Sequence, residues 1–179
     1  MIRLFIAIDL PPAIRSLVHD LARDIPGTHP VPLNQLHLTL KFIGDVGNKA
    51  ILSLTEALAT VENPAFSLAF QGVGCFPPRG TPRIVWAGIA PQPELEQLHS
   101  LIDQTLEQQG FARETRQFSP HVTLARLKTP AREPLRLFLA RHGSFGTEPF
   151  QIQDFRLYSS RLTSAGAIHN LEAVYELRK

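Results

Sequence analysis

The sequence predicts an α+β fold with antiparallel sheets, and three observations carry that expectation. Apolar residues recur at helical spacing in separate stretches, runs of period-2 alternation lie between them, and the two do not follow the strict strand-helix order of a doubly wound sheet. Alternation of this kind suits strands with one face in a core and one in water. A chain of 179 residues, 44% of them hydrophobic, holds one ordinary globular domain with a real core. Disorder as the main state is excluded.

Arg3 to Ile8 is a compact apolar run closed by Asp9-Leu10-Pro11-Pro12, a buried strand followed by a helix start. Ile14, Leu17, Val18, Leu21 and Ile25 then repeat at helical spacing until Pro26-Gly27. A second amphipathic helix is written by Ile51, Leu54, Ala57, Leu58 and Val61, and a third by Leu95, Leu98, Ile102 and Leu106, ending near Gly110. Glu133 to Arg141 reads as a short fourth helix. The strand-like runs are Leu36 to Ile43, Ala65 to Phe70, Arg83 to Ile89, His121 to Leu127, Phe150 to Tyr158 and Leu171 to Leu177. Prolines mark the gaps, among them Pro30, Pro32, Pro77, Pro78, Pro91, Pro93, Pro130 and Pro134. No gap is long or polar enough for a flexible linker, so residues 1–179 are expected to form one domain.

The longest unbroken apolar run, Leu4 to Ile8, is five residues, against roughly 18 needed for a membrane span. It is also too short for a signal peptide, so a soluble cytoplasmic protein is expected. A single cysteine, Cys75, rules out an internal disulfide and an all-cysteine metal site. Net charge is 18 − 16 = +2, too small for the electrostatic footprint of a histone-like protein. The basic excess lies in the second half, and fourteen of the eighteen basic residues are arginine, whose planar fork suits anionic ligands.

Two strand segments share one pattern: His37-Leu38-Thr39-Leu40 and His121-Val122-Thr123-Leu124. Seven histidines and eleven threonines yield roughly 0.4 His-x-Thr triplets by chance. The flanking apolar residues and the second occurrence make the pair specific. At about 3.3 Å per residue, His and Thr two apart share a strand face with Cα atoms about 6.6 Å apart, while Leu38 and Leu40 face the core. Each strand thus presents one imidazole and one hydroxyl to a common groove. The motifs are 84 residues apart, which implies two half-structures setting their strands side by side about a pseudo-twofold axis.

Two imidazoles on opposite sides of one bound group serve as general acid and general base, since histidine titrates near neutrality. Two threonine hydroxyls donate hydrogen bonds to phosphate oxygens. The set suits in-line attack of water on a phosphodiester, with a bell-shaped dependence on pH. Zinc chemistry is the weaker reading, because three close ligands are needed and only Asp45 offers a carboxylate near the motifs. Cys75, in Cys-Phe-Pro-Pro, has no activating neighbour. His19 and His99 fall on helices, His29 and His142 in loops, and His169 before the last strand, within reach of the groove; Trp86 reads as core.

The doubled motif, with RLFIAIDLP at the N-terminus, HLTLKFIG, PRIVWAG, SPHVTLARL and FRLYSSRL, resembles the two-histidine phosphoesterases, and within them the RNA 2′,3′-cyclic phosphodiesterases, also called the 2′-5′ RNA ligase family. The resemblance covers nearly the whole chain. It implies a bilobal fold with antiparallel sheets facing a central cleft and helices outside. It further implies hydrolysis of a 2′,3′-cyclic phosphate at an RNA end to a 2′-phosphate, without a metal. RNA ends or nucleotides with a 2′,3′-cyclic phosphate are the expected partners, with no cofactor and no membrane partner, and a monomer is expected although the sequence does not encode oligomeric state. Under the resemblance, His37 is the proton donor to the leaving oxygen and His121 the proton acceptor that activates water. Thr39 and Thr123 hold phosphate oxygens, and Arg126 adds a cationic contact. Strict alternation sets Arg126 opposite to His121, so that role requires the strand to bulge or end first. Phe42 is a candidate for stacking on a base, although alternation puts it on the core face with Leu38 and Leu40. A nucleotide-binding module without turnover and ligation by the reverse reaction are the alternatives, and sequence does not separate the two reaction directions.

Overall fold

The computed structural model describes residues 1–25, 27–128, 132–164 and 166–178. In chain order these form β1 (Ile2–Asp9), α1 (Pro12–Arg23), a 3₁₀ turn (Leu33–Gln35), β2 (His37–Val46), α2 (Asn48–Leu58), β3 (Phe66–Leu68) and β4 (Phe70–Phe76). There follow β5 (Ile84–Ile89), α3 (Pro93–Gln108), β6 (His121–Arg126), α4 (Arg132–His142), β7 (Phe150–Ile152), β8 (Asp154–Thr163) and β9 (Gly166–Glu176). Proline opens α1 and α3 in the first turn, where the missing N–H has no helical partner to lose. Glu94 and Glu96 complement the positive end of α3.

Seven strands form one sheet in the order β4-β5-β6-β2-β1-β8-β9, and β3 pairs with β7 in a separate two-stranded ladder. Every strand pairing is antiparallel. The two halves of the large sheet meet at β2 and β6 through a single rung, Leu38 opposite Val122. Exchanging β1, β2 and β8 for β5, β6 and β4 leaves the order of the first six strands the same, read from the other end. Each half also borrows a strand: β4 pairs with β5, although it follows the first motif, and β8 pairs with β1, although it follows the second.

One buried cluster unites the fold. Leu38, Leu40, Val122 and Leu124 turn inward, where they join Leu54 and Leu58 of α2 and Leu98 and Ile102 of α3. Each such side chain contributes about 1.5–3 kcal/mol by leaving water. The opposite face of β2 and β6 stays partly open.

Several elements differ from the sequence expectation. The run Ala65 to Phe70 is two strands, and β4 continues to Phe76 through Gly72 and Gly74. A Cβ at Gly74 would overlap the Trp86 ring, so glycine is required where it conceals the strand signal. The run Phe150 to Tyr158 divides at Gln153, because β7 leaves to pair with β3. The last strand starts at Gly166 rather than Leu171 and includes His169. His142 closes α4 rather than lying in a loop. The breakers Pro26 and Pro130 lie outside the described residues. No helix among the described residues is long and apolar enough to cross a membrane.

Candidate active site

Both motifs begin their strands. In β2, His37 and Thr39 are half-buried while Leu38 and Leu40 are fully buried, and in β6, His121 and Thr123 alternate with Val122 and Leu124 in the same way. With Leu38 opposite Val122, the antiparallel register sets His37 beside Thr123 and Thr39 beside His121. The four polar side chains therefore share one face of two adjacent strands.

Alternation then breaks in both strands at the equivalent residue. Thr39 pairs with Ala7 and Lys41 with Ile6, leaving Leu40 as the extra residue of a β-bulge. Thr123 pairs with Trp86 and Ala125 with Val85, leaving Leu124 as the extra residue. Both the bulged residue and its successor point inward: Leu40 and Lys41 in β2, Leu124 and Ala125 in β6. The next residue emerges on the face of the motif. That residue is Phe42 in β2 and Arg126 in β6, and both are exposed. Phe42, 70% exposed, is thus not a core residue as strict alternation implied. The inward Lys41 is satisfied by an ion pair to buried Asp103 of α3 and a 3.0 Å bond to the Ala112 carbonyl.

The two imidazoles are held alike. His37 Nδ1 lies 2.7 Å from the Gln35 carbonyl oxygen, and His121 Nδ1 lies 2.7 Å from that of Ser119. A carbonyl oxygen only accepts, so each Nδ1 carries the hydrogen and each Nε2 is left to exchange a proton with a ligand. The Thr39 and Thr123 hydroxyls have no hydrogen-bond partner among the described residues and are available to accept or donate.

The surroundings of the two rings differ. The Phe5 ring packs at 5.0 Å from His37, 5.4 Å from Tyr158 and 6.1 Å from Phe42. His169 completes this cluster, edge-on to Phe5 at 4.9 Å and to His37 at 5.5 Å. It is carried there by the β8–β9 hairpin, which Gln35 holds by donating to the Ala167 carbonyl at 2.8 Å. On the other side, His121 packs against Phe76 at 5.0 Å and Trp86 at 6.2 Å. Trp86 is half-buried against the second motif rather than in the core.

A model of the 2′-5′ RNA ligase superfamily matches residues 6–161. The chain belongs to this superfamily. It is 33% identical over 177 residues to a protein of Archaeoglobus fulgidus named RNA 2′,3′-cyclic phosphodiesterase, covering 97% of this chain and 99% of the relative. A Thermus thermophilus protein of the same name is 34% identical, covering 98% of this chain and 90% of its own. Among solved structures, TT0787 of Thermus thermophilus superposes with a TM-score of 0.81 at 28% identity, covering 98% of both chains. E. coli LigT complexed with 3′-AMP superposes with a TM-score of 0.80 at 27% identity, covering 99% of both.

In this superfamily member both motif histidines are set below their ordinary pKa. Burial is the main cause for His37, with the neighbouring His169 and Arg126 adding to it, and its pKa falls to about 4. Burial also lowers His121, while its carbonyl partner works the other way. Asp9 is the carboxylate opposite His37, not Asp45, which pairs with Arg3 at the far end of β1. Sequence order hid this neighbour, because Asp9 reaches the motif only through the β1–β2 register. Its oxygens are already engaged, accepting from Arg156 at 2.7 Å and from the Tyr158 hydroxyl at 2.9 Å. Cys75 is partly exposed in β4, and burial raises its thiol pKa, against nucleophilic use. Among the described residues no group of three or more His, Cys, Asp or Glu side chains is arranged to hold a metal ion.

Proposed function

We propose that the protein hydrolyses 2′,3′-cyclic phosphate ends of RNA to 2′-phosphomonoesters by metal-independent acid-base catalysis, in a single domain whose halves are related by a pseudo-twofold axis at the Leu38–Val122 rung. One observation carries the reading: two imidazoles on adjacent strands, each with Nδ1 tied to a carbonyl and Nε2 free, beside two unpartnered threonine hydroxyls. The names of the relatives support the same activity.

Water attacks phosphorus in line, and His121 Nε2 takes its proton. The bond from phosphorus to the 3′ oxygen breaks, its electron pair stays on that oxygen, and His37 Nε2 protonates it. The products are a 2′-phosphomonoester and a free 3′-hydroxyl. Thr39 and Thr123 donate to the non-bridging oxygens, Arg126 offsets their charge, and Phe42 stacks on the terminal base. The acid must be protonated as the leaving oxygen departs, yet burial alone favours neutral His37. The phosphate anion supplies the counter-charge that raises it.

The deciding measurement is turnover of cyclic-phosphate-ended RNA in chelator by wild type, His37→Ala and His121→Ala. The expected result is full wild-type activity and a loss of about 10²–10⁴-fold in each variant. Undiminished turnover in either variant overturns the assignment, and binding without phosphomonoester formation by the wild type replaces it with a binding module.

A further inference from the structure

The basic excess of the second half has a location. From Asn63 to Pro93 and from Thr115 to Arg132 the chain contains no aspartate or glutamate. These stretches include β4, β5, β6 and the β4–β5 turn, and their cations are Arg79, Arg83, Arg116, Arg126, Lys128 and Arg132. Arg79, Arg83, Arg126 and Lys128 are exposed and make no ion pair among the described residues.

The backbone gathers these cations at one end of the site. Ile84 pairs with Arg126, the Leu127 amide donates to the Arg83 carbonyl at 2.8 Å, and the Arg83 amide donates to the Phe76 carbonyl at 2.7 Å. Phe76 in turn packs against His121. Arg83 and Lys128 therefore flank the end of β6 just beyond Arg126, with Arg79 in the adjoining turn. The first half is built differently. There the carboxylates Asp9, Asp45 and Asp154 lie among the arginines and pair with them. The exposed ring Phe42 emerges from that half instead of a cation.

We infer that Arg79, Arg83 and Lys128 form a track for the phosphodiester backbone of a single-stranded RNA whose terminal phosphate lies between the two motifs. The inference rests on the proposed function and adds the body of the substrate to it. Cations without carboxylate neighbours bind a polyanion without first breaking ion pairs, and each phosphate neutralised releases counterions. The aromatic side of the cleft takes the terminal base and the cationic side the preceding nucleotides. A 2′,3′-cyclic mononucleotide has no phosphates to lay on the track.

The test compares wild type, the triple variant Arg79→Ala, Arg83→Ala, Lys128→Ala, and the single reversal Arg83→Glu. Binding of a 3′-phosphorylated oligoribonucleotide roughly six nucleotides long is read by fluorescence anisotropy across salt concentration. Turnover is read with a 2′,3′-cyclic mononucleotide and with a cyclic-phosphate-ended oligonucleotide. The triple variant is expected to bind the oligonucleotide about tenfold more weakly at low salt, with the salt slope reduced by about 2. Its mononucleotide turnover stays at the wild-type level, and Arg83→Glu, a surface change, weakens oligonucleotide binding in the same direction. Unchanged oligonucleotide affinity and salt slope in both variants overturn the track, as does equal binding of a duplex. If wild type turns over neither substrate yet binds the oligonucleotide through these residues, the hydrolytic reading falls and the track stands.

Discussion

Leu40 and Leu124 are equivalent residues: each is the unpaired extra residue of a β-bulge, one position after the motif threonine. The bulge turns the following residue inward and brings the next one back to the open face. This is why a pattern that starts as His-x-Thr ends with Phe42 and Arg126 beside the site.

Arg126 is exposed and carries no ion pair among the described residues, so its removal should leave stability intact. Arg126→Leu is expected to lower kcat/KM by about 10²-fold through loss of charge stabilisation at the phosphate. Activity within a factor of two of wild type would remove Arg126 from the site.

Phe42→Ala should raise KM about tenfold with little change in kcat, the cost of one stacking contact. The melting temperature should hold, because the ring is largely exposed. A fall in melting temperature with KM unchanged would return Phe42 to a structural role.

The pH dependence of stability has a defined sign. His37 has a folded pKa of about 4, below its unfolded value of 6.5, so between those values the unfolded chain binds more protons. The stabilisation is fully present above pH 6.5 and is lost as pH falls toward 4, by roughly 2–3 kcal/mol. His37→Gln should flatten this acid limb in urea titrations at several pH values. An identical limb in the variant would contradict the assignment.

His169 lowers the His37 pKa as a like charge at close range. His169→Gln is therefore expected to move the His37 titration upward, read from its ring protons by NMR, and to shift the pH profile of kcat/KM with it. An unmoved titration would mean that the contact between the rings is only one of packing.

The Lys41–Asp103 pair is buried, and burial alone would push the Asp103 carboxyl up; hydrogen bonds from Lys41 and the Glu114 amide outweigh it. Lys41→Met is expected to cost up to about 3–5 kcal/mol, because only the half-exposed Arg113 at 3.4 Å and the Glu114 amide then offset the buried carboxylate, and Lys41→Met with Asp103→Leu should recover much of it. Chemical denaturation of both variants checks the pair, and equal losses would show that charge compensation is not its role.

The motifs were legible in the sequence because their chemistry is local: His, Thr and the inward leucines obey one strand's period. The four helices were legible for the same reason, since amphipathic spacing needs no partner. Phe42 and Trp86 were misplaced because a bulge and a half-open face are properties of pairing, which one strand does not encode. Asp9 and His169 belong to the site through register and through a curled hairpin, contacts that join residues far apart in the chain. β4 was missed where Gly72 and Gly74 replace the side chains that signal a strand.

The borrowed strands have a topological consequence. With β4 held by the second motif's half and β8 by the first, a cut in the β4–β5 turn would yield one fragment whose half of the sheet lacks β8 and β9 and another whose half lacks β4. Neither fragment carries every strand of the sheet half that holds its motif, and the missing strands lie on the other fragment. Setting the two motif histidines on adjacent strands and completing each half of the sheet therefore require the same two stretches of chain.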